Sequence, residues 1–202
     1  MIKIQITNGQ FTLNSAEEFT NINLEEGMAY DGFTASDNYL AWLELYKKEV
    51  FIYDLSAKSL EKVKLSQGRG PFESRGVSAL GITESEKLIL NDVNNIKFII
   101  YDLKTGKFEK EIKFDSKRLM RISTHKEVVF SLGIRDENSL YHVLDIENDW
   151  NSKKVDFGNK INVSKEFSSI YKRDGYISSN HLFGVHAPIY YPSLFIIDFK
   201  TN

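Results

Sequence analysis

Apolar residues in this chain fall in short runs, rich in β-branched and aromatic side chains and broken by glycine, asparagine, aspartate and lysine. Runs of this length and composition predict strands rather than helices. One run recurs: Val50-Phe-Ile-Tyr-Asp-Leu55, Phe98-Ile-Ile-Tyr-Asp-Leu103, Tyr141-His-Val-Leu-Asp-Ile146 and Leu194-Phe-Ile-Ile-Asp-Phe199. Its aspartates, Asp54, Asp102, Asp145 and Asp198, are spaced by 48, 43 and 53 residues. A period of about 40–50 residues built from strands is that of propeller blades.

The clearest copy follows the glycine-rich stretch Gln67-Gly-Arg-Gly-Pro-Phe-Glu73, and its strands are predicted at 77–82, 88–90, 98–101 and 108–114. The third is apolar on both faces, as suits a blade covered by a neighbour on each side. The fourth, Phe108-Glu-Lys-Glu-Ile-Lys-Phe114, alternates and carries charge, which suits an outer edge that must refuse further pairing. The same placement gives 39–43, 50–53 and 61–65 in a first blade, and 119–123, 128–132, 141–144 and 153–157 in a third. A fourth blade takes 167–171, 182–185 and 194–197. The expected fold is therefore an all-β propeller of four-stranded antiparallel blades, one domain with blades at about 28–65, 75–114, 118–157 and 163–202.

Two closures fit this count. The stretch Glu18-Phe-Thr-Asn-Ile-Asn-Leu24 has the pattern of the fourth strand that the last blade lacks, which would close a four-bladed ring. Alternatively the chain is an arc of a six-bladed propeller, and an arc with two uncovered blade faces should self-associate. The second reading is preferred because Asp198-Phe-Lys-Thr-Asn202, which matches Asp102-Leu-Lys-Thr-Gly106, would end inside a hairpin.

The loop Gly68-Arg-Gly-Pro-Phe-Glu73 resembles the GRGPGEF crossing loop of bacterial six-bladed NHL-like and TolB-like propellers, and Asp92-Val-Asn-Asn-Ile-Lys-Phe98 is similar to their D-x-x-N-x-R-I hairpin. The likeness is strong over 60–115 and is carried by the repeat elsewhere. Phe72 stands where the loop motif has glycine, and Lys97 where the hairpin has arginine. The resemblance implies six blades and a periplasmic or cell-surface location; Met1-Ile-Lys-Ile-Gln-Ile6 alternates, unlike a signal peptide.

Composition narrows the partners. The net charge of -2 supplies no global attraction to nucleic acid, and no cysteine is present to serve as nucleophile or thiolate ligand. No apolar run is long enough to span a bilayer. Phosphate-binding glycine loops, Gly-x-Ser-x-Gly elbows and paired cysteines are absent.

Candidate chemistry gathers at one end. Strand alternation puts the turns between second and third strands, and the crossings between blades, on the same face. That face holds the Gly68–Glu73 loop and His186-Ala-Pro-Ile-Tyr-Tyr-Pro192, and Pro71, Pro188 and Pro192 all fall there. The Gly-x-Gly-Pro sequence is expected to need a backbone conformation that a β-branched residue resists. Arg69, His186, Tyr190 and Tyr191 are the candidate ligand contacts of these loops. Arg75, Arg118 and Lys165 begin innermost strands and could ring the axis, arginine suiting carboxylate or phosphate.

Glu44, Asp92 and His186, at similar places on successive second strands, form the candidate set for a divalent metal, the one cofactor these residues allow for. The recurrent aspartates are expected to cap turns, and His142, aligned with packing positions, to lie in the core. The leading function is a non-enzymatic scaffold that binds a small molecule or protein at the loop-bearing end. The alternative is a metal-dependent enzyme of the lyase or lactonase type.

Overall fold

The computed structural model of the chain describes residues 4–7, 10–13, 30–44, 49–114, 118–134, 139–146, 151–156, 175–179, 183–188 and 195–198. A hairpin of β1 (Ile4–Thr7) and β2 (Gln10–Leu13) precedes four antiparallel sheets. Blade one is β3 (Tyr30–Ala35), β4 (Tyr39–Glu44), β5 (Glu49–Asp54) and β6 (Ser59–Lys64). Blade two is β7 (Val77–Ile82), β8 (Lys87–Asp92), β9 (Lys97–Asp102) and β10 (Lys107–Lys113). Blade three is β11 (Arg118–His125), β12 (Val128–Ile134), β13 (Ser139–Asp145) and β14 (Asn151–Asp156). Blade four contributes β15 (Gly175–Ser179), β16 (Phe183–Pro188) and β17 (Phe195–Asp198). Each sheet is a meander in chain order. The first strands β3, β7, β11 and β15 adjoin one another in sequence, so they are innermost. The fold is an all-β propeller, and the described residues contain no helix.

Three placements differ from the sequence reading. The innermost strand of blade four is Gly175–Ser179, whereas Phe167–Tyr171 lies outside the described residues, as does the proposed closing strand Glu18–Leu24. Blade one has a fourth, innermost strand, Tyr-Asp-Gly-Phe-Thr-Ala, whose aspartate and glycine obscure its alternation. Pro188 ends β16 in register with Gly175 rather than sitting in a loop.

Burial follows the layering. The first five residues of β9 are all buried, while in β10, paired on one side alone, every residue is exposed or half-buried. Residues 41, 43, 50, 52 and 63 of blade one share a core with Leu80, Leu88, Leu90, Ile99 and Tyr101 of blade two. The other face of blade two, Ile89, Phe98 and Ile100, shares a second core with Leu119, Val129 and Leu144 of blade three. Register makes the contacts comparable, because Tyr39, Lys87, Val128 and Phe183 each pair with a recurrent aspartate. At one equivalent place the facing residues are Ala41 and Leu88, then Ile89 and Val129, then Phe130 and Gly184. A methyl group on Gly184 would lie 2.7 Å from the Phe130 ring, so the last junction closes only around glycine.

The recurrent aspartates cap turns as expected where the contacts are described. Asp54 Oδ1 accepts hydrogen bonds from the Ser56 and Ala57 amides at 2.8 and 2.7 Å, and Asp102 Oδ1 from Lys104 and Thr105 at 2.9 Å each. His142 is buried, as its packing alignment predicts.

Candidate functional site

The site is built on the turn between β8 and β9. Asp92 is fully buried and accepts four hydrogen bonds. Its Oδ1 takes the amides of Asn94 and Asn95 at 3.1 and 3.0 Å, the local pattern that lets aspartate nucleate a turn. Its Oδ2 takes the Arg75 amide at 3.0 Å and Asn95 Nδ2 at 2.9 Å, tying the crossing loop to the turn. Asn94 and Asn95 extend the tie, donating to the carbonyls of Arg75 (3.2 Å) and Gly68 (2.9 Å).

A second anchor is buried beneath. Lys97, 2% exposed, donates to the Gly70 carbonyl at 3.2 Å and forms an ion pair with Glu111 of the outer strand. Glu111 Oε1 also accepts the Phe72 amide at 2.7 Å. The crossing loop is thus held at Gly68, Gly70, Phe72 and Arg75 by side chains of the blade it enters.

Within the loop, Gly70 donates to Glu73 Oε2 at 2.7 Å, and Ser74 donates to the Ser66 carbonyl at 2.8 Å. The two glycines are needed for room rather than for an unusual backbone. A methyl group on Gly68 would lie 1.9 Å from Glu73 Oε2, and one on Gly70 would lie 2.9 Å from it. The left-handed residue is Phe72, with φ of 56°, at the place where the resembling motif has glycine. Its ring stacks on Phe108 at 5.4 Å, filling the edge of the core between blades one and two.

What this frame presents outward is Arg69, Pro71 and Arg75, all exposed. Arg118 opens β11, the neighbouring innermost strand, at the same end. Lys165, Tyr190 and Tyr191 lie outside the described residues. Of the three metal candidates, Glu44 and Asp92 are register equivalents, each ending its second strand. His186 pairs with Phe195 and so matches Leu90, two residues short of that place, which corrects the equivalence drawn from sequence. Asp92 already carries four donors, and among the described residues no three histidine, aspartate or glutamate side chains are grouped to hold a metal.

Sequence reasoning singled out the exposed arginines and missed Asn95, Lys97 and Glu111, which hold the loop. One signal was available: a lysine at the head of a buried strand needs a buried partner, and Glu111 lies diagonally across from it on the edge strand, opposite Ile99.

The displaced titrations lie at the opposite end. Asp102 is held at about 2 by its hydrogen bond from Lys87, with burial opposing, and Lys87 is raised by its bonds to Asp102 and Glu109. Both charged forms are favoured, which is the reverse of a group poised to exchange a proton near neutral pH.

A family model described as a 6-bladed beta-propeller matches residues 34–196. No protein of curated function matches the sequence. Among solved structures, that of U3-55K is 10% identical with a TM-score of 0.58, over 85% of this chain and 52% of its own. The computationally designed Ika4 protein is 11% identical with a TM-score of 0.55, over 87% and 95%. Streptogramin B lyase is 12% identical with a TM-score of 0.54, over 86% and 55%. These are likenesses of fold, and the chain spans about half the length of U3-55K and of the lyase.

Proposed function

We propose, from the premise that the chain belongs to a family of 6-bladed beta-propellers, that it is a non-enzymatic scaffold binding an anionic small molecule or an acidic protein segment at its crossing-loop end. The observation that carries this reading is a loop fixed from below and charged above. Gly68, Gly70, Phe72 and Arg75 are bonded to Asn95, Lys97, Glu111 and Asp92, while the Arg69 and Arg75 side chains stand exposed. A frame already ordered before binding loses little further freedom on contact. Arginine's planar fork matches carboxylate and phosphate. Arg118, Lys165, His186, Tyr190 and Tyr191 belong to the same end in this proposal, extending the contact toward the axis and over the fourth blade.

The test is thermal stabilisation of the purified chain by inorganic phosphate, citrate and an acidic peptide. At least one should raise the melting temperature of the wild type and not that of Arg69→Ala/Arg75→Ala. If none does, or if the double variant responds equally, the reading fails. The enzyme alternative draws on the shared fold with Streptogramin B lyase. Stoichiometric zinc or calcium in the purified protein, lost in His186→Ala, would favour it.

A further inference from the structure

Arg121 is exposed although it lies within β11, an innermost strand flanked by β7 on one face and by β15 on the other, and paired with β12 along one edge. A side chain so enclosed reaches solvent across the free edge, and the free edges of innermost strands face the axis. Small residues take the equivalent places in blades one and two: Gly32 and Ala79 stand at the bulges of β3 and β7 as Arg121 stands at that of β11. Among the described residues no carboxylate pairs with the Arg121 guanidinium.

The bulge that sets this direction is pinned on both sides. Register shifts between Leu119 and Arg121, which leaves Met120 between them unpaired. The Leu119 carbonyl accepts Asn91 Nδ2 of blade two at 2.6 Å, and the Arg121 carbonyl accepts the Ser131 hydroxyl at 2.7 Å, both donors being buried. A bulge held in this way re-aims the side chain next to it. Two residues on, Ser123 shares the face of β11 that carries Arg121, and its hydroxyl lies 3.1 Å from that of Ser179 on β15. Arg121 therefore stands on the face turned toward blade four, where Ile177 shares the face of β15 that carries Ser179. The place lies between two blades of this chain, away from the outer faces of the first and the last.

We propose that Arg121, Ser123 and Ser179 form a binding site on the wall of the axial channel for a small hydroxylated monocarboxylate. The guanidinium fork takes one carboxylate through two parallel hydrogen bonds. One arginine balances one negative charge, so a phosphate group carrying about two would be left half-compensated. The serine pair supplies the second contact. Two hydroxyls joined by one mutual hydrogen bond keep one hydrogen to donate and lone pairs to accept, which complements a ligand hydroxyl. Half-buried Ile177 offers apolar surface to the carbon chain. The site goes beyond the crossing-loop contact: it lies within the strands rather than on the loop, and it needs neither Arg69 nor Arg75.

The test is saturation-transfer difference NMR of the full chain with lactate, propionate and inorganic phosphate as probes. Lactate should give a signal that an equal concentration of phosphate does not displace, and should bind more tightly than propionate, which lacks the hydroxyl. Arg121→Gln, a change at an exposed side chain, should keep the melting temperature and weaken lactate binding by about tenfold or more. Ser123→Ala should erase the preference for lactate over propionate. Arg69→Ala/Arg75→Ala should bind lactate as the wild type does, so that this site and the crossing-loop contact stand or fall separately. No lactate signal, an undiminished signal in Arg121→Gln, a preference kept in Ser123→Ala, or displacement by equimolar phosphate overturns the inference. Loss of the signal in the loop double variant alone overturns it in favour of the crossing loop.

Discussion

Phe72 holds a left-handed backbone, φ 56°, that glycine adopts without cost and other residues adopt at about 1–2 kcal/mol. The stacking on Phe108 offsets that cost. Truncation therefore should not follow the usual order. Phe72→Ala loses the packing and keeps the strain, and we expect about 2–3 kcal/mol of destabilisation. Phe72→Gly loses the same packing but removes the strain, and should be the milder change by roughly half to one kcal/mol after its greater unfolded-state freedom is counted. Chemical denaturation of the two variants decides it; an alanine variant as stable as the glycine variant would mean that the left-handed turn carries no strain.

A neighbouring pair tests the space argument. Gly68→Ala must push the Glu73 carboxylate off the Gly70 amide, at about 1–3 kcal/mol. In a Glu73→Ala background the same substitution should cost close to nothing, a coupling that a double-mutant cycle reads directly.

At the scale of the element, the turn after β8 is what makes the crossing loop rigid. Asp92→Ala leaves the Arg75, Asn94 and Asn95 amides without their buried acceptor, and we expect about 3 kcal/mol or more of lost stability. Asp54→Ala removes a similar turn contact from a half-buried position whose amide donors, Ser56 and Ala57, are exposed, with an expected cost of about 1 kcal/mol or less. Amide hydrogen exchange should accelerate across 66–76 in the first variant and not in the second. Similar exchange in both would show that the loop is ordered without Asp92.

This difference also explains what the sequence made legible. The recurrent aspartates mark the turns because their bonds are local, and the strands that end in them could be placed from the recurrence of one apolar run. Long-range ties were hidden: nothing near Asn95 in sequence reveals that its amide spans 27 residues to Gly68. The innermost strands were the hardest to place. Packed against neighbouring first strands, they use glycine and serine, as in Gly81 against Thr124 and Ser123 beside Ser179. That composition reads as loop, so β3 went unmarked and the blade-four strand was placed at 167–171.

Over the whole molecule, blades are joined at the end away from the crossing loops by polar bridges. Asn38 donates to Glu86 at 2.5 Å, and Ser85 donates through its amide and hydroxyl to Glu127 at 2.7 and 2.9 Å. The ion pair of Lys87 with Asp102 sits among them. Asp102 titrates at about 2 in the folded chain against 3.8 unfolded, so its share of stability is present above about pH 4 and is lost as pH falls toward 2. Lys87→Met should flatten that part of the stability profile, with a change at neutral pH of about 1 kcal/mol or less for so accessible a pair. Parallel acid profiles for wild type and variant would assign the loss to other carboxylates.

The junction of Phe130 with Gly184 carries a consequence for descent by duplication. Copies of a repeat begin interchangeable, yet here the boundaries divide their volume differently, and blade three closes only on a neighbour with glycine at the place of Gly184. Blade three inserted again after itself would set Phe130 against Val129, where the existing junction has glycine. Such shuffled genes should yield chains that fail to pack, and the array can lengthen only where a compensating change in size arrives at the new boundary. Gly184→Leu should therefore be severely destabilising alone and largely rescued by Phe130→Ala, with thermal unfolding of the single and double variants as the measure.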